Sequence, residues 1–429
     1  MNDPGQINLV KAPPGKLMSN ETSNSRRHST FTRRQFLAVA GASALSLTVT
    51  PGMARGAESD DKINIGLIGC GGRGTWIADL FVKNGHYNLV AVADYFPDKA
   101  DAAGEKFQVD TPRRFTGLSA YKRLLEQKLD AVVIESPPYF HPEQAAAAVE
   151  AGKHVYCAKP IAVDVPGCRA MAENGRKATE KKLVFLADFQ TRAHPSYQEA
   201  VRLVHAGGIG RIVSGEAGYQ TGDTWGGMDA IIRASPKSNE ARLRGWGADR
   251  TLSGDIIAEQ NIHALDVAWW ILDAAPLRAY GTGGRTRPPL PNGVWDNFSV
   301  IFDYPNDVRL TFSSKQAGKF WEDIACRVYG LEGVIDTHYF GVVKVMCDDA
   351  YNGGTMTNLY TDGAVNNIST FHKSITSGDY SNPTVAPSVR SNLTTILGRT
   401  AACRRPEVTW DHMIKVNERW KANLKGLKA

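Results

Sequence analysis

A short strand, a glycine-rich turn and a helix follow one another in residues 62–85, KINIGLIGCGGRGTWIADLFVKNG. Residues 69–74 fit the pattern GxGxxG. In this pattern the first glycine allows a tight turn, the second lets the backbone approach a pyrophosphate, and the third lets helix and strand pack closely. The helix start then offers unpaired N–H groups and the positive end of its dipole to phosphates. This order predicts a dinucleotide site, and the residues expected to contact the cofactor are Gly69, Gly71, Gly72, Arg73 and Gly74.

The second predicted strand, NLVAVAD, ends at Asp94, which lies 20 residues after Gly74. A carboxylate at this place accepts hydrogen bonds from the adenosine ribose and repels a 2′-phosphate. We therefore predict NAD as the cofactor. NADP is the less favoured alternative, because Arg73 is placed to neutralise an additional phosphate.

The pattern of apolar residues changes near the middle of the chain. Up to about residue 190, short apolar segments alternate with helical ones, which favours a doubly wound parallel sheet. From about residue 210, segments such as RIVSGEAGYQ and VRLTFSSKQ alternate apolar and polar residues, which favours a mostly antiparallel open sheet. We predict an α/β Rossmann domain over 60–188 and an α+β substrate and oligomerisation domain over 189–429, with helices at about 255–272 and 385–425.

Residues 1–57 form a distinct leader. Arg33 and Arg34 precede a short apolar stretch, and small residues follow near Ala54 and Ala57. This order resembles a twin-arginine export signal. We therefore expect the twin-arginine export machinery as a partner and a protein that is periplasmic or otherwise exported. The alternative is a disordered basic tail.

The leader also holds most of the positive charge. It contains seven Lys/Arg and two Asp/Glu, so it accounts for +5 of the formal net charge of +6. The rest of the chain is close to neutral and gives no reason to expect nucleic acid as a partner. No apolar run reaches the roughly 18 residues that a membrane span needs, so no span is expected in the mature chain.

The cysteines do not indicate a metal site. None of the six has a CxxC or other metal-ligand spacing, and they are Cys70, Cys157, Cys168, Cys326, Cys347 and Cys403. Free buried thiols are the favoured interpretation. A disulfide between the late cysteines is the alternative in an oxidising compartment.

Two further segments carry residues suited to catalysis. HVYCAKPIAV places Lys159 and Pro160 at the end of a buried strand, where a parallel sheet faces its ligand crevice. SGDIIAEQNIHALDVAWW places Glu259 and His263 four residues apart, on one face of the predicted helix. Opposite charge or hydrogen bonding at this spacing lets Glu259 orient the imidazole of His263.

Each of these residues also has a structural interpretation. Lys159 can be a strand-end side chain that extends to solvent. Glu259 and His263 can form a surface capping pair, or the histidine can be satisfied in the core. Their spacing is not HExxH and no third ligand is evident, so zinc is not predicted.

The motifs together resemble a known family. Gly69–Gly74, Asp94, ESPPYFHPEQ, CAKPIAVD and SGDIIAEQNIHALDVAWW are similar, in the same order, to the glucose–fructose oxidoreductase / inositol dehydrogenase / MocA family. The resemblance implies that Lys159 and Pro160 belong to that family's Glu-Lys-Pro motif and His263 to its Asp-x-x-x-His motif, so that Lys159, Glu259 and His263 are catalytic. Either Lys159 or His263 acts as the base. The resemblance also implies that the proline, through a cis bond, shapes the turn under the nicotinamide. Two positions depart, since Ala158 replaces the motif glutamate and Glu259 replaces the aspartate.

Residues near these motifs are expected to line the site. On the cofactor side they are Pro137, His141, Lys159, Pro160 and Gln190, and on the substrate side they are Arg192, Tyr219, Trp225 and His263.

The predicted function is hydride transfer between a nicotinamide and a carbinol carbon of a sugar, polyol or sugar derivative, with a base beside the hydroxyl. Because the twin-arginine route carries folded cargo, we expect NAD to be tightly bound and recycled in place. One alternative is a redox-neutral glycoside hydrolase or lyase that oxidises, eliminates and reduces, as in the similar family-109 glycoside hydrolases. Another is a non-catalytic dinucleotide-binding sensor. The resemblance also implies a homo-oligomer.

Overall fold

Six parallel strands form the first sheet of the protein, whose structure is a computed structural model that describes residues 62–429. The strands are β1 (Ile63–Ile68), β2 (Tyr87–Asp94), β3 (Arg114–Thr116), β4 (Ala131–Ile134), β5 (His154–Ala158) and β6 (Phe185–Asp188). Their order is β3-β2-β1-β4-β5-β6, which confirms the predicted doubly wound sheet. The order reverses between β1 and β4, where open α/β sheets bind ligands at the carboxyl ends of their strands.

Helices cover both faces of this sheet. They are α1 (Gly72–Asn84), α2 (Pro97–Lys106), α3 (Ala120–Leu125), α4 (His141–Glu150) and α5 (Val165–Glu180). Neighbouring residues of one strand therefore enter different cores. Val132 and Val133 are both fully buried, yet each belongs to a separate apolar cluster. This explains why the central strands are apolar without alternation.

Nine strands form the second sheet, in the order β14-β13-β12-β11-β7-β10-β9-β8-β15. The strands are β7 (Ile212–Thr221), β8 (Arg278–Gly284), β9 (Asn297–Asp303), β10 (Arg309–Gln316), β11 (Asp323–Gly330), β12 (Val334–His338), β13 (Val342–Met346), β14 (Tyr351–Thr355) and β15 (Val408–Thr409). Only β7 and β10 pair in parallel among these described strands, so the predicted mostly antiparallel sheet is confirmed. Along β10, Leu310 and Phe312 are buried while Arg309 and Thr311 are exposed, because helices cover one face of the sheet.

The remaining helices belong to the second half of the chain. They are α6 (Pro195–His205), α7 (Gly226–Ala234), α8 (Asn239–Arg244), α9 (Arg250–Ser253), α10 (Ile256–Glu259), α11 (Ile262–Leu272), α12 (Leu359–Ser377), α13 (Val385–Arg404) and α14 (Trp410–Val416). The inner face of the second sheet packs on α11 and α13 in the largest apolar cluster. No helix within residues 62–429 is long and apolar enough to cross a membrane.

Helix α12 returns to the first sheet. The hydroxyl of Tyr87 donates a hydrogen bond to the carbonyl oxygen of Ile368 at 3.0 Å. Phe371 packs edge-on against Phe81 and Tyr156. A late helix therefore completes one core of the first sheet, and it brings its own polar residues to the ends of the parallel strands.

The prediction of one helix over 255–272 was wrong. The structure has two helices, α10 and α11, separated by Gln260 and Asn261. The N–H of Asn261 bonds to the carbonyl of Ile256, five residues earlier, and this wider turn changes the phase of the helix. Asn261 is fully buried, and its side-chain amide reaches Gln316. The break alters the geometry of the Glu259–His263 pair.

The predicted helix at the end of the chain is shorter than expected. Helix α14 ends at Val416, because Asn417 has a φ of 50°, in the left-handed region. Farther on, the backbone N–H of Trp420 donates to the side chain of Asp164 at 2.8 Å. The last residues therefore follow the surface without a regular helix.

The cysteines and the leader complete this comparison. All six cysteines are free thiols and four of them are buried, so the described residues, which include Cys326, Cys347 and Cys403, contain no disulfide between the late cysteines. The predicted export signal in residues 1–57 lies outside the described residues.

Candidate active site

The glycine turn leaves an open space at the start of α1. Gly69 has a φ of +96°, and a Cβ there would lie 2.5 Å from the backbone nitrogen of Ser136. A Cβ on Gly74 would overlap the carbonyl oxygen of Gly69, whereas Cβ atoms on Gly71 and Gly72 would meet no atom within 4 Å. Gly69 and Gly74 are thus needed for packing. Gly71 and Gly72 leave room for a ligand at the N-terminus of the helix.

Asp94 lies on the other side of this space. Its carboxylate accepts hydrogen bonds from the backbone N–H of Cys70 at 2.7 Å and of Phe96 at 2.9 Å. Burial raises the pKa of Asp94, while the two backbone hydrogen bonds act to lower it. The carboxylate is fixed beside the glycine turn and keeps lone pairs for the hydroxyl groups of a ligand.

A cavity of about 950 Å³ joins the glycine turn to the ends of β5 and α10. Most of the predicted site residues contribute to its wall. They are Gly69, Gly71, Gly72, Arg73, Gly74, Asp94, Pro137, Lys159, Tyr219, Trp225, Glu259 and His263. The structure therefore brings the glycine turn and all three predicted catalytic side chains to one cavity, although they come from distant parts of the sequence.

Lys159 is held at the end of β5. Its Nζ donates a hydrogen bond to the backbone carbonyl of Glu259 at 2.6 Å and lies 3.5 Å from Glu259 Oε1. Only 6% of the residue is exposed, and burial lowers the pKa of Lys159, although the negative charge of Glu259 acts to raise it. The lysine is therefore fixed in place and loses its proton more readily than a lysine in water. The Lys159–Pro160 peptide bond is cis.

His263 lies near Lys159 without the partner that was expected. Its Nδ1 is buried and has no hydrogen bond to any group of the described chain, and its ring packs edge-on against Tyr339. Burial, together with the positive charges of Lys159 and Arg73, holds the pKa of His263 well below its usual range. The expectation that Glu259 orients this imidazole is wrong, because the turn at Asn261 separates the two helices and Glu259 pairs with Lys159 instead.

Arg73 does not point toward a second phosphate site. Its guanidinium pairs with Glu135, at 2.9 Å between Nε and Oε2, and with Asp188. It also donates to the hydroxyl of Tyr360 and lies over the ring of Trp76. These partners correct the expectation that Arg73 neutralises an additional phosphate, since the charge is already satisfied within the protein.

Three residues predicted to line the site support it from behind. His141 is fully buried, with Nδ1 2.9 Å from the carbonyl oxygen of Pro160 and Nε2 2.6 Å from that of Ser136. Burial lowers the pKa of His141 to about 4. Gln190 is also fully buried and donates from Nε2 to Asp188 at 2.7 Å. His141, Pro160 and Gln190 thus hold the turns at the strand ends and do not themselves line the cavity, which corrects their predicted placement.

The three weaker substrate candidates divide in the same way. Tyr219 lines the cavity and donates its hydroxyl to Gln260, and Trp225 lines the cavity beside Trp246. Arg192 points elsewhere. Its guanidinium forms a bidentate pair with the buried carboxylate of Asp266, at 2.9 to 3.0 Å. The prediction that Arg192 faces the substrate is therefore corrected, because the arginine neutralises a core carboxylate.

Several residues at the site were not predicted. Glu135, Tyr339 and Tyr360 line the cavity, and Asp188 lies behind it. Glu135 follows β4 directly, so the strand-end argument used for Lys159 would also have found it. Tyr360 lies on α12, whose return to the first sheet has no counterpart in the sequence motifs.

The residues present fit a dinucleotide. The open backbone at Gly71 and Gly72 suits a pyrophosphate, and the fixed carboxylate of Asp94 suits a ribose diol. At the other end, Nδ1 of His263 and Oε1 of Glu135 are buried polar atoms without a partner within residues 62–429. Buried polar atoms are normally paired, so these two atoms indicate a place where a ligand supplies the partner.

Comparison with known proteins agrees with this geometry. Residues 63–186 match a family described as an oxidoreductase family with an NAD-binding Rossmann fold, and residues 197–336 match the GFO/IDH/MocA C-terminal domain. The chain is 34% identical over 282 residues to inositol 2-dehydrogenase 2 of Saccharopolyspora erythraea, a match that covers 64% of this chain and 73% of that protein. This chain belongs to the Gfo/Idh/MocA oxidoreductase family.

Other members of the Gfo/Idh/MocA family extend the match. The chain is 23% identical over 350 residues to inositol 2-dehydrogenase of Rhizobium meliloti, which covers 80% of this chain and 96% of that protein. Its fold is similar to that of levoglucosan dehydrogenase, solved in complex with NADH and levoglucosan, with a TM-score of 0.66 and 20% identity over 81% of this chain and 99% of that chain. This protein is therefore an oxidoreductase with an NAD-binding Rossmann domain.

The structure also locates the two departures from the motifs of this family. Glu259 contacts Lys159 through both its backbone carbonyl and its carboxylate. Ala158 is buried at the end of β5 and pairs with Asp188 of β6. The first departure thus acts on the lysine, and the second leaves a small side chain next to a buried carboxylate.

Proposed function

We propose that this oxidoreductase transfers hydride between a tightly held NAD and a carbinol carbon of a sugar, polyol or sugar derivative. One observation supports the proposal above the others: Lys159, Glu259 and His263 line the same cavity as the glycine turn. A dinucleotide that lies on Gly71 therefore extends toward a lysine and a neutral imidazole.

The roles of these side chains follow from their surroundings. Bound NAD supplies the hydride acceptor or donor. A carbinol carbon releases hydride readily only as its hydroxyl loses a proton, so a base must lie beside that hydroxyl. His263 offers a free ring nitrogen but holds a proton poorly, because it is buried beside two cations. In this proposal His263 hydrogen-bonds the substrate hydroxyl. Lys159, which Glu259 fixes in place, accepts the proton of that hydroxyl.

The wall of the cavity supports a substrate with a polyhydroxylated ring. Tyr219, Trp225, Trp246, Tyr339 and Phe340 line it, and aromatic faces pack well against the C–H face of a sugar ring while their polar edges hydrogen-bond. Relatives named inositol 2-dehydrogenase and a neighbour solved with levoglucosan support the same class of substrate.

The adenosine end of the cavity supports tight cofactor binding. Arg244, at the end of α8, reaches across to the start of α2 and pairs with Asp98 at 2.9 and 3.0 Å. Its guanidinium lies 3.9 Å from the ring centroid of Phe96. Arg244 and Phe96 both line the cavity beside Asp94, so this contact would have to open for a bound dinucleotide to leave.

The leader supports the further proposal that the protein is exported in folded form with its NAD and acts in the periplasm or outside the cell. The support is the order of Arg33-Arg34, apolar stretch and small residues. Without a pool of free NAD, the cofactor would be recycled in place by a second substrate.

We also propose a homo-oligomer through the outer face of the second sheet. On that face Tyr280 pairs with Ile301, and both are exposed. Beyond β10 on the same face, Glu216, Arg327 and Asp336 form ion pairs across β7, β11 and β12. An exposed apolar pair beside a charged ladder is a composition that suits a protein interface. Light scattering on the purified protein tests this directly, and a monomer at micromolar concentration would contradict it.

A redox-neutral glycoside hydrolase or lyase is the second candidate. The proposed tight hold on NAD favours it, since a cofactor that does not exchange suits a cycle in which NAD is reduced and re-oxidised within one turnover. Release of the aryl group from aryl glycosides without net NADH would support this candidate over the first. A non-catalytic sensor would bind NAD and turn over no sugar or glycoside.

The deciding experiment is to purify the protein, extract its nucleotide with acid, and screen sugars, polyols and aryl glycosides while recording absorbance at 340 nm. We expect about one NAD per chain and an absorbance rise with a subset of free sugars or polyols. An extract without NAD, together with millimolar affinity for added NAD, would contradict the tightly held cofactor. Bound NAD with no turnover of any compound would leave only the sensor.

A further inference from the structure

Three positions form a row across the carboxyl ends of β4, β5 and β6. Ala158 pairs with Asp188 between β5 and β6. Ile134 pairs with Cys157 between β4 and β5, so the next residue, Glu135, continues the same register beside Ala158. Paired residues of parallel strands place their side chains on the same face of the sheet. The alanine therefore has a carboxylate on each side.

The side chain of Arg73 bridges these two carboxylates. Its Nε lies 2.9 Å from Glu135 Oε2, and its Nη2 contacts Asp188. Because Glu135 and Asp188 flank Ala158, the guanidinium spans the gap above the alanine. A longer side chain at position 158 would share this space with Arg73.

The carboxylates of Asp188 and Glu135 differ in how many hydrogen-bond partners they have within the protein. Asp188 accepts hydrogen bonds from Asn367 at 2.8 Å and from Gln190 at 2.7 Å, in addition to its contact with Arg73. Glu135 has only its ion pair with Arg73 through Oε2, and neither of its carboxylate oxygens has a hydrogen-bond partner in the part of the chain that the structure describes. The side chain of Glu135 is fully buried, yet the residue lines the cofactor cavity. A buried oxygen without a partner at a cavity wall indicates a ligand group opposite it.

We propose that Glu135, fixed by Arg73 against Asp188, takes over the position of the carboxylate that Ala158 lacks and stabilises the cationic nicotinamide of NAD+ more than the neutral ring of NADH. Two carboxylates and one guanidinium give this group of residues a net negative charge next to Lys159. An opposite charge within a few ångströms in a poorly solvated site favours the charged form of a ligand. The inference rests on the proposed function in one respect, which is that the nicotinamide lies at the Lys159 end of the cavity.

The test compares the dissociation constants of NAD+ and NADH for the nucleotide-free protein, measured by calorimetric or fluorescence titration at pH 8. In the Glu135→Gln variant we expect the ratio of the NAD+ constant to the NADH constant to rise roughly tenfold. The control variant is Glu126→Gln, which neutralises an exposed carboxylate of the same domain and should leave the ratio unchanged. An unchanged ratio in Glu135→Gln would overturn the inference. Failure of the unaltered protein to bind either nucleotide would overturn the proposed function instead.

A second pair of variants tests whether the two positions are equivalent. Glu135→Ala should raise the ratio as Glu135→Gln does. Adding Ala158→Glu to Glu135→Ala returns a carboxylate to the motif position after its neighbour has been removed, and we expect the ratio to return to within about threefold of that of the unaltered protein. A ratio that stays at the value of Glu135→Ala, in a double variant that unfolds with a normal thermal transition, would overturn the equivalence of positions 135 and 158.

Discussion

Lys159 and Glu259 are 100 residues apart in the sequence, yet the lysine Nζ donates a hydrogen bond to the Glu259 carbonyl oxygen at 2.6 Å. This contact joins the end of β5 to the end of α10 at the wall of the cofactor cavity, and so connects the first sheet to a helix from the second half of the chain. It also limits the positions that the ammonium group can occupy. A lysine held by a backbone carbonyl keeps its place whether or not it carries the proton, which is what a proton acceptor beside a reacting hydroxyl requires.

The first prediction concerns this lysine. Lys159→Met keeps the length and apolar stem of the side chain but removes the amine, so we expect kcat to fall by about 10²- to 10⁴-fold. The dissociation constant for NAD should stay within about threefold, because the glycine turn and Asp94 are unchanged. Lys128→Met, at an exposed position of the same domain, is the matched control and should retain full activity. A kcat within about threefold of normal in Lys159→Met would contradict the assigned role.

The second prediction separates the lysine from the histidine by pH. Burial lowers the pKa of Lys159 from its ordinary value of 10.5, whereas that of His263 lies well below 6.5. A base works in its deprotonated form. Therefore kcat/KM for oxidation should rise with pH and level off below pH 10.5, as Lys159 loses its proton. The rise should be absent in Lys159→Met. His263→Asn should lower the rate but keep the midpoint within about half a pH unit. A rise with its midpoint below pH 6.5 would instead identify His263 as the base.

The third prediction concerns Arg192, whose partner Asp266 is fully buried. Removing one member of a buried ion pair leaves the other charge unpaired, so Arg192→Met should lower the free energy of unfolding by about 3–5 kcal/mol. The KM for the substrate should change by less than about twofold, because Arg192 does not line the cavity. Arg202→Met, which removes an exposed ion pair with Glu199 on α6, is the control and should cost less than about 1 kcal/mol in urea unfolding. A large rise in KM with unchanged stability would instead support the original prediction that Arg192 contacts the substrate.

The parts of the fold that depend on local pattern were predictable. The glycine turn and the apolar strands carry their signals within a few residues, and Lys159 was found because it ends a parallel strand. Long-range pairs were not predictable. Nothing near Arg192 in the sequence indicates that it pairs with Asp266. Likewise, nothing near Tyr360 indicates that α12 packs against the first sheet.

The error at Glu259 has a different cause. A spacing of four residues predicts one helical face only if the helix is continuous, and the buried Asn261 interrupts it. The side-chain amide nitrogen of Asn261 pairs with a distant group, Gln316, so the interruption depends on tertiary structure and leaves no local signal.

The fourth prediction concerns retention of the cofactor. Arg244→Met removes the ion pair with Asp98 and the contact of the guanidinium with Phe96 at the adenosine end of the cavity. These contacts are partly exposed and together contribute on the order of 1 kcal/mol, so we expect NAD to dissociate about fivefold faster. Stopped-flow displacement of bound NADH measures this rate. Arg211→Met, at an exposed position away from the cavity, serves as the control. An unchanged rate in Arg244→Met would show that α8 does not limit the release of the nucleotide.

The last prediction concerns how ionisation of Glu135 changes the stability of the nucleotide-free protein. Burial raises the pKa of Glu135 from 4.5 to about 7; the charge of Asp188 adds to this shift, and those of Arg73 and Lys159 oppose it. A carboxyl with a raised pKa in the folded state gives stability that is complete below pH 4.5 and is lost as the pH rises through 7. Glutamine does not titrate. The free energy of unfolding of the unaltered protein, relative to Glu135→Gln, should therefore fall by up to about 3 kcal/mol between pH 5 and pH 8. Urea unfolding of both proteins across this range measures the difference, and a difference that stays constant would mean that the carboxyl is ionised throughout, with Arg73 outweighing the cost of burial.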